Sequence, residues 1–80
     1  MHDELIAAIA DWNPALQGSI DLRTPLITSA RLVSLGLLRL FMWIELKIGR
    51  PMAVSAVDMV KEWDNVDAIV SFVERERERR

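Results

Sequence analysis

The sequence predicts an all-α fold, a four-helix bundle of antiparallel type with a long first loop and a short third helix. Apolar residues recur at the i, i+3, i+4 and i+7 spacing of an amphipathic helix in separate segments of the chain. No run alternates between apolar and polar residues as a half-buried strand does, and there are only three glycines and three prolines. With 80 residues and a hydrophobic fraction of 51%, the composition is that of one globular domain, residues 1–80.

The first predicted helix covers about residues 3–12. Asp3 and Glu4 favour its N-terminus, because carboxylates interact well with the positive end of the helix dipole. Its apolar face consists of residues at helical spacing: Leu5, Ile9 and Trp12. Pro14 ends the helix, since the residue before a proline is pushed out of the α-helical region.

The next segment, from Pro14 to about Val33, has no sustained periodicity and is predicted to be a loop. Residues that favour turns are spread along it: Gly18, Ser19, Pro25, Thr28 and Ser29. A loop of about 20 residues is uncommon in a compact domain and is usually functional or disordered. Apolar side chains favour a loop that is ordered and anchored to the core: Leu16, Ile20, Leu22, Leu26 and Ile27.

The second predicted helix runs from about Ser34 to Ile48. Gly49 and Pro51 follow it directly and supply the usual signals for a helix C-terminus. One continuous stripe at helical spacing is expected to face the core: Leu37, Leu40, Phe41, Ile44 and Ile48. This helix is therefore predicted to have one buried side.

Two further helices complete the predicted bundle. Ser55–Asp58 indicates a short third helix, because it has the spacing of a capping box with Asp in place of Glu. The last helix is predicted to begin with Asp64 or Asn65 as its N-cap. Its apolar face has helical spacing: Val66, Ile69, Val70 and Val73. The tail, 75–80, alternates in charge and has no apolar face, so we expect it to fray and the ordered part to cover about residues 3–74.

Composition disfavours several classes of function. The net charge of −2 argues against nucleic-acid binding, which needs a basic surface. The chain has no cysteine, which suits a cytoplasmic protein, and its acidic start differs from a signal peptide. The longest apolar stretch, Leu32–Ile48, is interrupted by charged residues, so no membrane span is expected. No acid, base or metal constellation surrounds Ser34, because the only histidine is His2, so we expect no enzymatic activity.

Several short motifs, taken in order along the predicted helices, carry a family resemblance. Leu32–Leu35 has the sequence Leu-Val-Ser-Leu and follows Pro25–Ile27 at the end of the long loop. Ile48-Gly49 ends the second helix, and Glu62–Val66 spans the predicted boundary between the third and fourth helices. These segments resemble the acyl carrier protein family, which includes the peptidyl and aryl carriers and has the motif Leu-Asp-Ser-Leu. The resemblance extends over about residues 3–74.

The resemblance implies an acyl-carrier-like four-helix fold and a free-standing carrier in fatty acid or secondary metabolite biosynthesis. Ser34 maps onto the family's attachment serine, which receives 4'-phosphopantetheine from coenzyme A through a phosphopantetheinyl transferase. In that family the thiol of the arm holds an acyl or aminoacyl group as a thioester. An activating ligase loads this group onto the arm, and downstream transferases take it from there. Family members dock their partners through the second helix. The matching residues here are Leu35, Leu38, Arg39, Met42 and Leu46.

The chain departs from the family pattern immediately before the serine. Val33 occupies the position of the motif aspartate, which in the family offers a carboxylate to a basic transferase. The family's acidic positions on the second helix fall at Gly36, Arg39, Glu45 and Leu46, so only Glu45 keeps its charge. An acid-poor, apolar second helix favours a few dedicated partners rather than a general fatty acid synthase.

The residues also leave simpler interpretations open. Ser34 has the residue type of a helix N-cap, a role that needs no modification. The chain would then be a carrier-like helical docking or dimerisation module without phosphopantetheine, an alternative that the missing aspartate favours. Independently of that choice, the exposed apolar residues of the second helix are either scattered surface residues or a docking surface or dimer seam, and their row along one helix face favours the second interpretation. They are Leu35, Leu38, Met42 and Leu46. The three tryptophans are expected to be core or boundary anchors: Trp12, Trp43 and Trp63.

Overall fold

The structure, a computed structural model, describes residues 1–32, 34–52 and 57–78, and of Ser34 the backbone alone. In order, its elements are α1 (His2–Trp12), a 3-10 helix (Pro14–Leu16), α2 (Ser34–Ile48), α3 (Met59–Glu62) and α4 (Val66–Glu78). The described residues contain no β strand. The predicted all-α bundle of four helices, with a long first loop and a short third helix, is confirmed.

The first helix is amphipathic, and it ends where the sequence predicts. Leu5 and Ile9 have no solvent exposure, and Trp12 packs against the core while remaining partly exposed. Asn13 leaves the helical region, with φ −140° and ψ 89°. Its side-chain oxygen accepts the N–H of Ala15 at 3.3 Å, so the predicted loop begins with a capped 3-10 turn.

The long loop is anchored to the core by apolar side chains, as predicted, with one exception. Leu26 and Leu32 are buried. Partly buried residues pack beside them: Leu16, Ile20 and Ile27. The prediction that Leu22 anchors the loop is wrong, because its side chain is 40% exposed. The anchor at this position is the backbone instead: the Leu22 carbonyl accepts the N–H of Asp67 in the first turn of α4 at 3.1 Å.

The central helix, α2, presents the predicted stripe to the core. Three of its residues are completely buried: Leu40, Ile44 and Ile48. Leu37 and Phe41 lie at the edges of the stripe and are partly buried. The helix ends at Gly49, whose φ of +84° suits a residue without a side chain. The Gly49 N–H donates to the Glu45 carbonyl at 2.8 Å, which closes the last turn.

The last two helices begin with side-chain caps. The Asp58 carboxylate accepts the N–H of Lys61 at 3.2 Å and caps α3, whereas the predicted start at Ser55 lies outside the described residues. Asn65 caps α4, since its side-chain oxygen accepts the N–H of Ala68 at 2.7 Å. The predicted apolar face of α4 is buried: Val66, Ile69, Val70 and Val73. Of the two residues proposed as the cap, Asn65 is therefore correct.

The end of α4 extends further than the sequence predicts. The helix continues to Glu78 rather than fraying after residue 74, while the last two residues lie outside the description. Arg75 pairs with Glu62 at 2.6 Å, and Arg50 pairs with Glu76 at 3.2 Å. These pairs link the charged segment to α3 and to the residues that follow α2. A segment without an apolar face therefore makes ion pairs that local periodicity does not reveal.

The core forms where α2 and α4 pack together and α1 packs against both. Trp63, between α3 and α4, is completely buried, with its ring centroid 6.1 Å from Phe41 and 5.5 Å from Phe72. Its indole N–H has no acceptor among the described residues. Trp12 and Trp43 pack at the boundary of this core, so the prediction that the tryptophans are anchors is confirmed.

Candidate functional site

Ser34, the predicted attachment residue, is the first residue of α2 and follows the long loop. Before this residue the loop folds back on itself: the Ala30 N–H donates to the Ile27 carbonyl at 3.1 Å in a tight turn, and the Leu32 N–H donates to the Leu26 carbonyl at 2.9 Å. Ala30 in this turn has a φ of +60°, the left-handed conformation that a tight reversal requires. The predictions about Val33 and about the Ser34 hydroxyl lie outside the described residues.

The loop before Ser34 is tied to the junction between α3 and α4 by Asp64. Its carboxylate accepts the backbone N–H groups of Ile27 and Thr28, each at 2.9 Å, and the Thr28 hydroxyl at 3.0 Å. Its backbone carbonyl accepts the N–H of Leu26 at 2.6 Å. Local sequence identifies Asp64 only as a candidate helix cap, because its partners in the loop lie more than thirty residues away along the chain.

Hydrogen bonding keeps the Asp64 carboxylate charged. The pKa of this carboxyl lies below its ordinary value of 3.8, mainly because it accepts the Thr28 N–H. Partial burial opposes this lowering. The Thr28 hydroxyl and the Ile27 N–H, which also donate to the carboxylate, add to it. Donors to the ionised form stabilise that form relative to the protonated one. Near neutral pH, Asp64 is therefore a charged acceptor for the loop.

The outer face of α2 carries an exposed apolar row. Its members and their exposed fractions are Leu35 at 59%, Leu38 at 55%, Met42 at 60% and Leu46 at 80%. Successive helix residues are about 100° apart, so these positions lie within one side, opposite the core stripe. Arg39 is exposed on the same side. The residues predicted to contact partners thus share one accessible face.

Two adjoining clefts follow this face where the end of α1 packs beside α2. The first, of about 120 Å³, is lined by residues that include Arg31, Leu35 and Arg39. The second, of about 530 Å³, is lined by residues that include Asp11, Met42, Trp43 and Leu46. Trp12 and Arg39 line both clefts, which together we call the α1–α2 groove. Sequence reasoning missed this groove, because it depends on how the two helices pack.

The charges of α2 leave a cation on its outer face. Glu45 is the one acidic residue that matches the family pattern. Its carboxylate accepts the N–H of Met52 at 2.9 Å and so ties the segment after α2 back to the helix. Lys47 pairs with Glu4 on α1 and lies 5.4 Å from the centre of the Trp43 ring. Arg39 has no ion pair with a carboxylate among the described residues.

The described residues offer neither a metal-binding cluster nor a membrane-spanning helix. Residues 1–32, 34–52 and 57–78 contain no cluster of three or more histidine, aspartate or glutamate side chains placed to hold a metal ion. No helix in the same part of the chain has the length and apolar character needed to cross a bilayer.

Comparison with known proteins found no relative. No protein-family model, no curated protein and no solved structure matches this chain. The resemblance to acyl carriers therefore depends on the chain's own motif around Ser34 and on the order of its helices, and the family assignment stays a prediction.

Proposed function

We propose that this protein is a carrier that bears 4'-phosphopantetheine on Ser34. The observation that carries the proposal is the position of this serine, which is the first residue of a central helix and follows a long, anchored loop. A group attached there would lie at one end of the exposed apolar row of α2. The arm would hold an acyl or aminoacyl group as a thioester while α2 contacts a transferase, an activating ligase and downstream enzymes.

The surface of α2 supports the docking part of the proposal. Leu38, Met42 and Leu46 are each more than half exposed and form a continuous apolar row. Contiguous apolar surface along one helix is a frequent feature of helix-mediated protein contacts. Contacts of this kind hold a complex, whereas charges mainly set encounter rate and specificity. With few charges on this face, we expect a small number of dedicated partners.

Intact-mass spectrometry after incubation with coenzyme A and a broad-specificity phosphopantetheinyl transferase tests the proposal. The wild-type protein should gain the mass of one phosphopantetheine. Ser34→Ala should gain none, while Ser71→Ala, which alters an exposed serine of α4, should gain one. Circular dichroism would establish that both variants remain helical. Absence of modification at high transferase concentration, or modification that persists in Ser34→Ala, would reject the assignment.

The second candidate is a helical docking module of the same fold that carries no arm. The sequence observation in its favour is Val33, which replaces the aspartate that the family presents to its transferase. The same exposed row of α2 would serve this function without any covalent group. An unmodified wild-type chain in the mass experiment, combined with partner binding through α2, is the result that distinguishes this candidate.

A further inference from the structure

We propose that the α1–α2 groove binds an amphipathic helix of a partner protein that carries carboxylates beside its apolar face. The proposal deepens the docking part of the proposed function by naming the chemistry of the partner surface. Binding in the groove does not require modification of Ser34. Its test can therefore fail or succeed whatever the outcome of the phosphopantetheine experiment.

The first argument comes from the shape and lining of the groove. Its two clefts follow the side of α2 next to the end of α1, and Trp12 lies in both of them. Leu35, Met42 and Leu46 contribute apolar surface that is 59%, 60% and 80% exposed, respectively. A furrow between two packed helices accepts the ridge of a third helix, with its apolar side chains at helical spacing.

The second argument comes from charge. Arg31 and Arg39 both line the first cleft, where no acidic residue is present among the lining residues. Neither guanidinium has a carboxylate at ion-pair distance among the described residues, and Arg31 makes one long hydrogen bond of 3.4 Å to the Pro25 carbonyl. In the second cleft Asp11 offsets Arg39. Positive charge is therefore concentrated at the end of the groove nearest the start of α2, where partner carboxylates would be favoured.

The same charges disfavour other occupants. A second copy docking through its own α2 would bring the same exposed face, which contains Arg39 and no carboxylate, and so would supply no partner for Arg31 and Arg39. An anionic bilayer would repel the chain as a whole, which has a net charge of −2. An acidic amphipathic helix matches the apolar lining of the groove and its local positive charge.

Fluorescence titration of the Ser34→Ala protein provides the test. The probes are two synthetic amphipathic helices with the same leucine face, flanked by glutamates in one and by lysines in the other. Trp12 and Trp43 lie at the groove, so binding there should change their emission, and Trp43→Phe should reduce the change. The glutamate peptide should bind about fivefold more tightly than the lysine peptide at low salt, as expected for two exposed ion pairs. The preference should shrink at about 1 M salt, where the Debye length is about 3 Å.

Matched variants locate the interaction. Arg39→Glu should abolish or reverse the preference for the glutamate peptide, whereas Lys61→Glu, the same charge change at an exposed residue of α3, should leave it unchanged. Met42→Ala should weaken binding severalfold. Val60→Ala, which truncates a similarly exposed apolar residue of α3 that does not line the groove, should bind within about twofold of the parent.

Four outcomes would overturn the proposal. They are equal affinity for the two peptides, absence of binding to both, a preference that survives Arg39→Glu, and dimerisation through α2 in sedimentation experiments. A fifth outcome, binding to vesicles of phosphatidylcholine and phosphatidylserine with a change in tryptophan emission and no binding of the glutamate peptide, would also overturn it and would assign the groove to a membrane surface.

Discussion

At the scale of single residues, Asp64 connects the long loop to the junction between α3 and α4. It accepts hydrogen bonds from Leu26, Ile27 and Thr28, all in the loop that leads to Ser34. A charged acceptor forms stronger hydrogen bonds than a neutral one. Asp64 therefore joins the loop before the proposed attachment residue to the start of α4, and its charge contributes to the stability of that connection.

We expect Asp64→Asn to lower the free energy of unfolding at neutral pH by about 1 kcal/mol, the typical difference between a charged and a neutral acceptor. The folded-state pKa of Asp64 lies below its ordinary value of 3.8, so its contribution is complete above that value. The contribution is lost as the pH falls through the lowered pKa. Urea unfolding across this acidic range should show the wild type and the variant converging at low pH.

Asp21→Asn is the matched control for this prediction. The Asp21 carboxylate also accepts a backbone N–H, from Arg23 at 2.9 Å, and the hydroxyl of Thr24 at 3.0 Å. These partners lie within the same turn, so the substitution should affect the connection between loop and helix less than Asp64→Asn does. If the Asp21 variant loses as much stability as the Asp64 variant, or if the wild type and Asp64→Asn differ equally at every pH, the proposed role of Asp64 is wrong.

At the scale of elements, α2 has two apolar faces with different physical roles. Ile44 is completely buried among the helices, whereas Leu38 is 55% exposed on the outer side. Burial removes apolar surface from water and stabilises the fold, and an exposed side chain contributes little of this free energy. The buried face consequently holds the bundle together, and the exposed face is free to contact other molecules.

Alanine substitutions at these two positions should separate the roles. Ile44→Ala is expected to cost about 2–5 kcal/mol, because truncation of a buried aliphatic side chain also leaves a cavity. This is comparable to the stability of about 3–5 kcal/mol that a domain of this size usually has, so cooperative unfolding should be largely lost. Leu38→Ala should change the free energy of unfolding by about 0.5 kcal/mol or less. Thermal and urea unfolding measure both values, and the opposite order would show that the helical register is wrong.

At the scale of the whole molecule, charge is distributed unevenly. The chain has a net charge of −2, yet the lining of the first cleft of the α1–α2 groove includes Arg31 and Arg39 and no acidic residue. Glu45 is engaged with the Met52 N–H. If the protein is a carrier as proposed, a basic transferase would find little opposite charge at the start of α2, where the sequence has Val33 in the position of the acyl carrier aspartate.

If Ser34 is the attachment residue, as proposed, we expect Val33→Asp to speed phosphopantetheine transfer to it while the helical content is unchanged. A carboxylate at this end of a helix is favourable by about 0.3–1 kcal/mol, and it supplies a charge that steers a basic enzyme. The gain in rate should shrink as salt is added, because screening weakens the attraction. Transfer rates followed by mass spectrometry measure the effect.

Val60→Asp is the control for added charge, since Val60 is an exposed apolar residue of α3. It should leave the transfer rate unchanged. Equal rates for wild type and Val33→Asp at all salt concentrations would indicate instead that the transferase contacts α2 through its apolar row.

The sequence by itself determined the helices and which of their faces are buried. The core stripe of α2 and that of α4 follow helical periodicity, and the buried residues Ile44 and Val70 lie where this periodicity predicts. The same periodicity predicts that Met42 is exposed, because it lies on the side of α2 opposite the buried stripe. Helix ends at Asn13 and Gly49 were also predictable from local backbone preferences.

Tertiary structure alone decided the features that join segments distant in sequence. Three such features depend on which elements become neighbours. They are the hydrogen bonds between Asp64 and Thr28, the α1–α2 groove beside Trp12, and the ion pair of Arg75 with Glu62 in the extended end of α4. Local patterns specify the conformation and the faces of a segment, but not the partner that a polar side chain meets across the fold. The physical reason is that helix packing is set by the summed burial of apolar surface, and polar contacts between elements form only after that packing has brought their groups together.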